Sequence, residues 1–146
     1  MAGVNLVDET FIAVPPETLA EVVADPARWR VWWPDLQLRV FMDRQLAGQR
    51  WSMTGALLGS CEIWLQPMLD GTCVHYYLRG NPCHGDPPVE HELPDTPAGW
   101  RKADAIRRHR ALAWKRHIWA LKDELEGDRP PGQPPGSGER TSPVGQ

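Results

Sequence analysis

Phenylalanine and tyrosine are scarce in this sequence, at two each, and cysteine contributes only Cys61, Cys73 and Cys83. Three cysteines cannot all pair within one chain, and nothing else points to an oxidising compartment, so they read as thiols. No run of about 18 consecutive apolar residues occurs, which leaves no candidate for a membrane-spanning helix. The opening MAGVNLVDET has neither a basic leader nor an apolar h-region, and a cytoplasmic location is the expectation. Basic residues are not in excess: 16 Lys and Arg stand against 19 Asp and Glu, a formal net charge of −3. Nucleic-acid binding normally needs a clustered basic footprint, so no nucleic-acid partner is expected. A P-loop, a dinucleotide fingerprint after the first strand and a G-x-S-x-G elbow are all missing. No cofactor is implied.

What the chain has instead is tryptophan, eight of them, and 15 prolines in 146 residues. Tryptophan offers large rigid apolar surface with one polar N–H, useful in a core and useful against a flat ligand. Residues 4–14 form an opening strand, and Pro15-Pro16 ends it. Pro16 and Glu17 then suit the first turn of a short helix carrying Leu19, Val22 and Val23 inward. Asp25-Pro26 starts a second helix over 26–33, stopped by Pro34. Beyond it the period changes to two. Leu36, Leu38, Val40 and Met42 share one face of a strand; Trp51 and Met53 share the next. Cys61, Ile63 and Leu65, then Val74, Tyr76 and Leu78, follow on two more. Short turns, among them Asp70-Gly71, make these an antiparallel meander with one face buried. Residues 80–99 hold five prolines and read as a loop. A helix over 100–126 follows, with Trp100, Ala103, Ala111, Trp114, Ile118, Leu121 and Leu125 on one stripe. The expected division is one domain over 1–127 and a disordered Pro/Gly-rich tail over 128–146. The fold class is α+β: a curved antiparallel sheet of about five strands around a long C-terminal helix, with two short helices after the first strand.

Certain residues carry a resemblance. Ala13, Pro15, Pro16 and Glu17, then Asp25, Pro26, Arg28, Trp29, Trp33 and Pro34, are similar to the opening signature of the START-like superfamily, the SRPBCC or Bet v 1-like helix-grip proteins. The closing ALAWKRHIWALKDELEG resembles the last helix of its polyketide cyclase/dehydrase and lipid transport branch. The resemblance spans roughly residues 4–127. It implies a sheet of seven strands and a cavity between sheet and final helix holding a hydrophobic or aromatic small molecule. Members include lipid carriers, aromatic polyketide cyclases and coenzyme Q-binding proteins.

Candidate residues follow from both lines. Trp29, Trp33, Trp51, Met53, Ile63, Tyr76 and Trp114 are the expected cavity wall, with plain core packing the alternative for each tryptophan. Arg107 projects close to the Trp114 and Leu121 direction, where it would hold a ligand carboxylate or enolate. Alternatively it snorkels past the sheet edge or pairs with an acid such as Glu90 or Glu92. Tyr76 and Arg107 are the catalytic candidates if a reaction occurs. His75 and Tyr77 share the face opposite Tyr76, so the three cannot line one cavity. Cys83-His84 with His91 matches no strong zinc pattern and reads as a solvated loop, so no metal is expected. The basic run 101–117 is interleaved with acids and reads as a solvated face. Leu112 and Trp119 stand seven residues apart, away from the main stripe, and suggest a homodimer contact or packing at the sheet edge. A non-catalytic binder of a lipid, quinone or polyketide-like molecule leads. The alternatives are a polyketide cyclase or dehydratase, and a protein-interaction module with a filled core.

Overall fold

The computed structural model describes residues 2–127; the expected tail, 128–146, lies outside the described residues. In chain order the elements are β1 (Val4–Ile12), α1 (Pro16–Val23), α2 (Pro26–Trp32), β2 (Leu36–Asp43), β3 (Gly48–Gly55), β4 (Leu57–Met68), β5 (Gly71–His84), β6 (Val89–Glu90) and α3 (Pro97–Glu126). The main sheet runs β1-β5-β4-β3-β2, with every pair antiparallel, and β6 adds to the far end of β5.

Local chemistry sets the helix starts. Pro16, Pro26 and Pro97 occupy first helical positions, where a missing N–H costs nothing. The Asp25 side chain accepts from the Ala27 N–H at 2.9 Å, and Thr96 Oγ1 accepts from Gly99 N–H at 3.1 Å. Gly127, at φ 65°, closes α3. The inner face of the sheet supplies Val4, Leu6, Ile12, Trp51, Met53, Ile63, Leu65, Val74, Tyr76 and Leu78 to one core with Trp114, Ile118 and Leu121 of α3.

Several expectations are corrected. Among the described residues the sheet has six strands, neither about five nor the seven of the resemblance, because β5 runs 14 residues into the proline-rich segment and β6 pairs with its end there. Pro82 ends no pairing there: it lies opposite Leu57, while Cys83 N–H reaches the Ala56 carbonyl at 2.9 Å. The second helix stops at Trp32 rather than at 33. The last helix begins three residues early, at Pro97, since Thr96-Pro97 is a complete start signal inside the segment read as loop. Alternation fails along β2. A bulge between Val40 and Met42 breaks its register, and Val40, Phe41 and Met42 are all exposed on this edge strand. Trp100 is also off the buried stripe, half-exposed with its indole N–H on Asp95.

Candidate functional site

α1 and α2 lie across one end of the groove between sheet and α3. Trp29 Nε1 donates to the Val23 carbonyl at 2.7 Å, locking the two short helices together. Pro34 then forces the chain out of the helix, and Trp32 and Trp33 are delivered side by side into the groove. Trp33 lies parallel to Trp114, 3° between planes and 5.9 Å between centroids. Tyr76 stacks on the same Trp114 at 4.1 Å. Trp32 meets both Trp33 and Trp114 edge-on, and Trp51 meets Trp29 and Trp33 at 5.4 Å each. Edge-to-face and offset contacts at such separations are the favourable ones for aromatic quadrupoles.

Of the expected wall residues, Trp33, Trp51, Met53, Ile63, Tyr76 and Trp114 therefore come together, all buried, with Trp29 packed half-buried against them. They fill the middle of the groove with their own rings. Arg107 does not join them. Its guanidinium bonds Asp104 at 2.8 Å, one turn back on the same exposed helix face. It lines an outer cleft with Gly3, Asn5 and Trp100, between the start of β1 and α3. Its acid partner is Asp104 rather than Glu90 or Glu92. Tyr76 and Arg107 are thus not a pair.

Polar groups at this centre are few and mostly satisfied. Trp33 Nε1 donates to Tyr76 Oη at 3.0 Å, and Trp114 Nε1 to Asp8 Oδ2 at 3.2 Å. Asp8 is held in turn by Thr10 Oγ1 and Lys115 Nζ. The buried Trp51 Nε1 has no partner, and neither has Gln49 Oε1. Burial pushes the Tyr76 hydroxyl far above the ordinary phenol range, so it is neutral and can donate a proton but not accept one as a base. Burial likewise raises the Cys61 thiol to about 12, against the opposing pull of Arg110. Arg110 itself is nearly enclosed and grips Asp35 through two bonds, 2.9 and 2.7 Å long.

Among the described residues, two clefts lie beside this centre. One, of about 350 Å³, runs between α3 and the start of β4, with Leu57, Ile106, His109 and Arg110 in its walls. The other, of about 320 Å³, lies between α2 and β2, with Trp29, Leu36 and Leu38. Arg110, Asp8 and Cys61 are not among the sequence-derived site candidates, although Cys61 is expected on the buried strand face. Arg110 lies about 40° round the helix from Trp114, four residues before it, and the four-residue step was a readable signal. Asp8 is an acid on the inward face of an apolar strand, also readable. Leu112 and Trp119 are exposed, 62% and 57%, with Lys115 Nζ lying 5.7 Å from the Trp119 ring centroid.

No helix among the described residues is long and apolar enough to cross a membrane. No family model and no curated protein matches the sequence. Solved structures do match the fold. The Aha1 dimer protein of Colwellia psychrerythraea is 17% identical with a TM-score of 0.56, over 89% of this chain and 100% of that one. DR_A0006 of Deinococcus radiodurans is 13% identical, also at 0.56, over 82% and 95%. DynU16, from the dynemicin biosynthetic locus, is 15% identical at 0.52, over 86% of this chain and 48% of its own length. Six antiparallel strands curved about one long helix, with two short helices behind the first strand, make a helix-grip fold, the architecture these solved structures share.

Proposed function

We propose that the protein binds a small, flat, largely apolar molecule bearing a hydrogen-bond acceptor, held between the sheet and α3. The observation that carries this reading is the unpartnered Trp51 N–H inside a buried stack of rings. A buried donor without an acceptor costs about 1–3 kcal/mol, and a ligand carbonyl would recover it. The cleft beside Leu57 and Arg110 supports the same reading as the way in, since Leu57 also belongs to the aromatic core cluster. Because the rings already fill the middle of the groove, the molecule is compact, nearer a quinone or an aromatic polyketide fragment than a long acyl chain. Tyr76, as a neutral donor next to Trp33, would orient a carbonyl. A polyketide cyclase or dehydratase would need a second acid–base group at hand, and Arg107 lies on the outer surface, so binding without turnover leads. That DynU16 comes from a biosynthetic locus favours a ligand of secondary-metabolite type.

The test is native mass spectrometry of freshly purified protein, followed by titration of its tryptophan fluorescence with menadione and with palmitate. Expected are a co-purifying aromatic molecule, or quenching by menadione that weakens at least about tenfold in Trp51→Phe. Palmitate binding alone would overturn the shape argument. A ligand-free protein that ignores both probes would overturn binding.

The second reading, a protein-interaction role, is favoured by the ring-filled interior together with exposed Leu112 and Trp119. The same spectra test it: a dimer that Trp119→Ser dissolves, in a protein ignoring both probes, supports it. The name of the Colwellia relative, a dimer, makes a homodimer through these residues the arrangement to look for.

A further inference from the structure

The face of the sheet turned away from the core carries an arrangement that the binding reading does not use. Glu9 of β1 stands directly across from His75 of β5, and Cys73 lies two residues before His75 on the same face. The Glu9 carboxylate, the Cys73 thiol and a His75 ring nitrogen all lie within 4.8 Å of one another.

His75 is held as a ligand would be. Its side chain is only 8% exposed, clasped by the Trp64 ring at 4.3 Å and 22°. Tyr77 lies parallel on the other flank, 6.4 Å away. Nε2 sits 2.9 Å from Gln66 Oε1. An amide oxygen only accepts, so Nε2 carries the ring proton and Nδ1 presents its lone pair. That lone pair is buried, makes no hydrogen bond, and faces Glu9 Oε2 across 3.3 Å. Two acceptors and a thiol sulfur thus converge on one point, with only the weak S–H as a donor among them. A second proton on His75 would satisfy the imidazole and Glu9 but leave Cys73 without a role. A cation satisfies all three.

We propose that Glu9, Cys73 and His75 form a binding site for zinc on the outer face of the sheet, with solvent in the fourth position. Sulfur, imidazole nitrogen and carboxylate oxygen together suit a borderline-soft divalent ion. Gln66 is the outer partner that fixes the imidazole, as the neighbours of metal-bound histidines do. Tetrahedral zinc, with bonds of about 2.0–2.3 Å, places its ligand atoms roughly 3.3–3.8 Å apart. Glu9 Oε2 and His75 Nδ1, 3.3 Å apart, already stand at that spacing, so the movement of up to about an ångström falls to the Cys73 sulfur, with the exposed Glu9 following it. On binding, the Cys73 S–H bond breaks, its sulfur bonds to the metal and the proton leaves to solvent.

The test uses the full chain, reduced with a phosphine and stripped with a chelator, titrated with cobalt(II) and then zinc chloride. One equivalent of cobalt is expected to raise a thiolate-to-metal charge-transfer band, and one equivalent of zinc to abolish it. Cys73→Ser should remove the band and weaken zinc at least about 100-fold, while Glu9→Gln and Gln66→Ala, milder changes, should each weaken it about tenfold. Those two variants keep the test decisive should Cys73→Ser fold poorly. The competing donors are Cys83, His84 and His91, the two imidazoles 5.1 Å apart; His84→Gln/His91→Gln should bind zinc unchanged. The proposal is overturned if the wild type takes up no cobalt or zinc, or if the band survives Cys73→Ser. Unaltered zinc affinity in Glu9→Gln, or loss of binding in the double histidine variant, would overturn it equally.

Discussion

Tyr76 shows how one atom is tied into the interior. Its hydroxyl oxygen accepts the Trp33 indole N–H, and both groups are buried. Tyr76→Phe should therefore cost about 1–3 kcal/mol in urea denaturation, because it strands a buried donor rather than merely deleting a bond. A change under about 0.5 kcal/mol would mean that Trp33 finds another acceptor. Cys61 makes a second residue-scale prediction. Its thiol is raised by burial from 9.0 to about 12, so above pH 9 the unfolded chain loses its proton while the folded chain keeps it. Stability from this source is intact below pH 9 and falls as pH rises toward about 12, and Cys61→Ala should flatten that decline in alkaline melts. At this scale the sequence was legible where side-chain type decided the outcome. A period-two strand with Trp51 and Met53 inward has one place to put them. For Arg107 the sequence left a ligand contact and an ion pair open, because a helical angle says which way a side chain sets out, not what lies opposite it. Pairing with an acid is what occurs, and Asp104, one turn back, is the partner.

Among the elements, β4 and β5 approach so closely that a side chain has no room at their crossing. A Cβ on Gly59 would fall 2.0 Å from the Arg79 carbonyl oxygen, and Gly80 is its partner across the ladder. Gly59→Ala should cost at least about 2 kcal/mol by thermal or urea melts, since backbone rather than a flexible side chain must yield. A near-neutral result would show that the two strands can separate without loss of packing. Element type and order were readable from caps, prolines and changes of period, except for β6, which lies within the segment read as loop. Lengths were not. Pro82 looked like the end of a strand, yet its missing N–H and intact carbonyl fit the ladder, with the carbonyl accepting from His91 N–H at 2.7 Å. The bulge in β2 left a trace in the sequence, since the apolar run Val40-Phe41-Met42 breaks the alternation where the register shifts.

Over the whole molecule, the described residues 2–127 carry the core cluster and helices α1, α2 and α3. Removal of 128–146 should accordingly leave the urea midpoint unchanged, and a lower midpoint would give that segment a packing role. Ligand linkage offers a further check. Menadione at 100 times its dissociation constant should raise stability by about 2.7 kcal/mol if it binds the folded state alone. A helix-grip sheet was foreseeable from a strand, two short helices, a meander and one long helix, because few other arrangements bury that helix. The outer cluster of Glu9, Cys73 and His75 was not, since its members come from two strands whose pairing brings them together.

The stacked rings also have an optical consequence. Trp29, Trp32, Trp33, Trp51, Tyr76 and Trp114 form a continuous chain with centroids 4.1 to 5.9 Å apart. Transition dipoles at such distances couple, so ultraviolet excitation is shared across the cluster instead of residing on one indole. Its far-ultraviolet circular dichroism should then carry an exciton couplet superimposed on the backbone spectrum. Helix content taken from ellipticity alone would be misjudged, while the couplet itself would vanish as soon as the rings lose their mutual orientation.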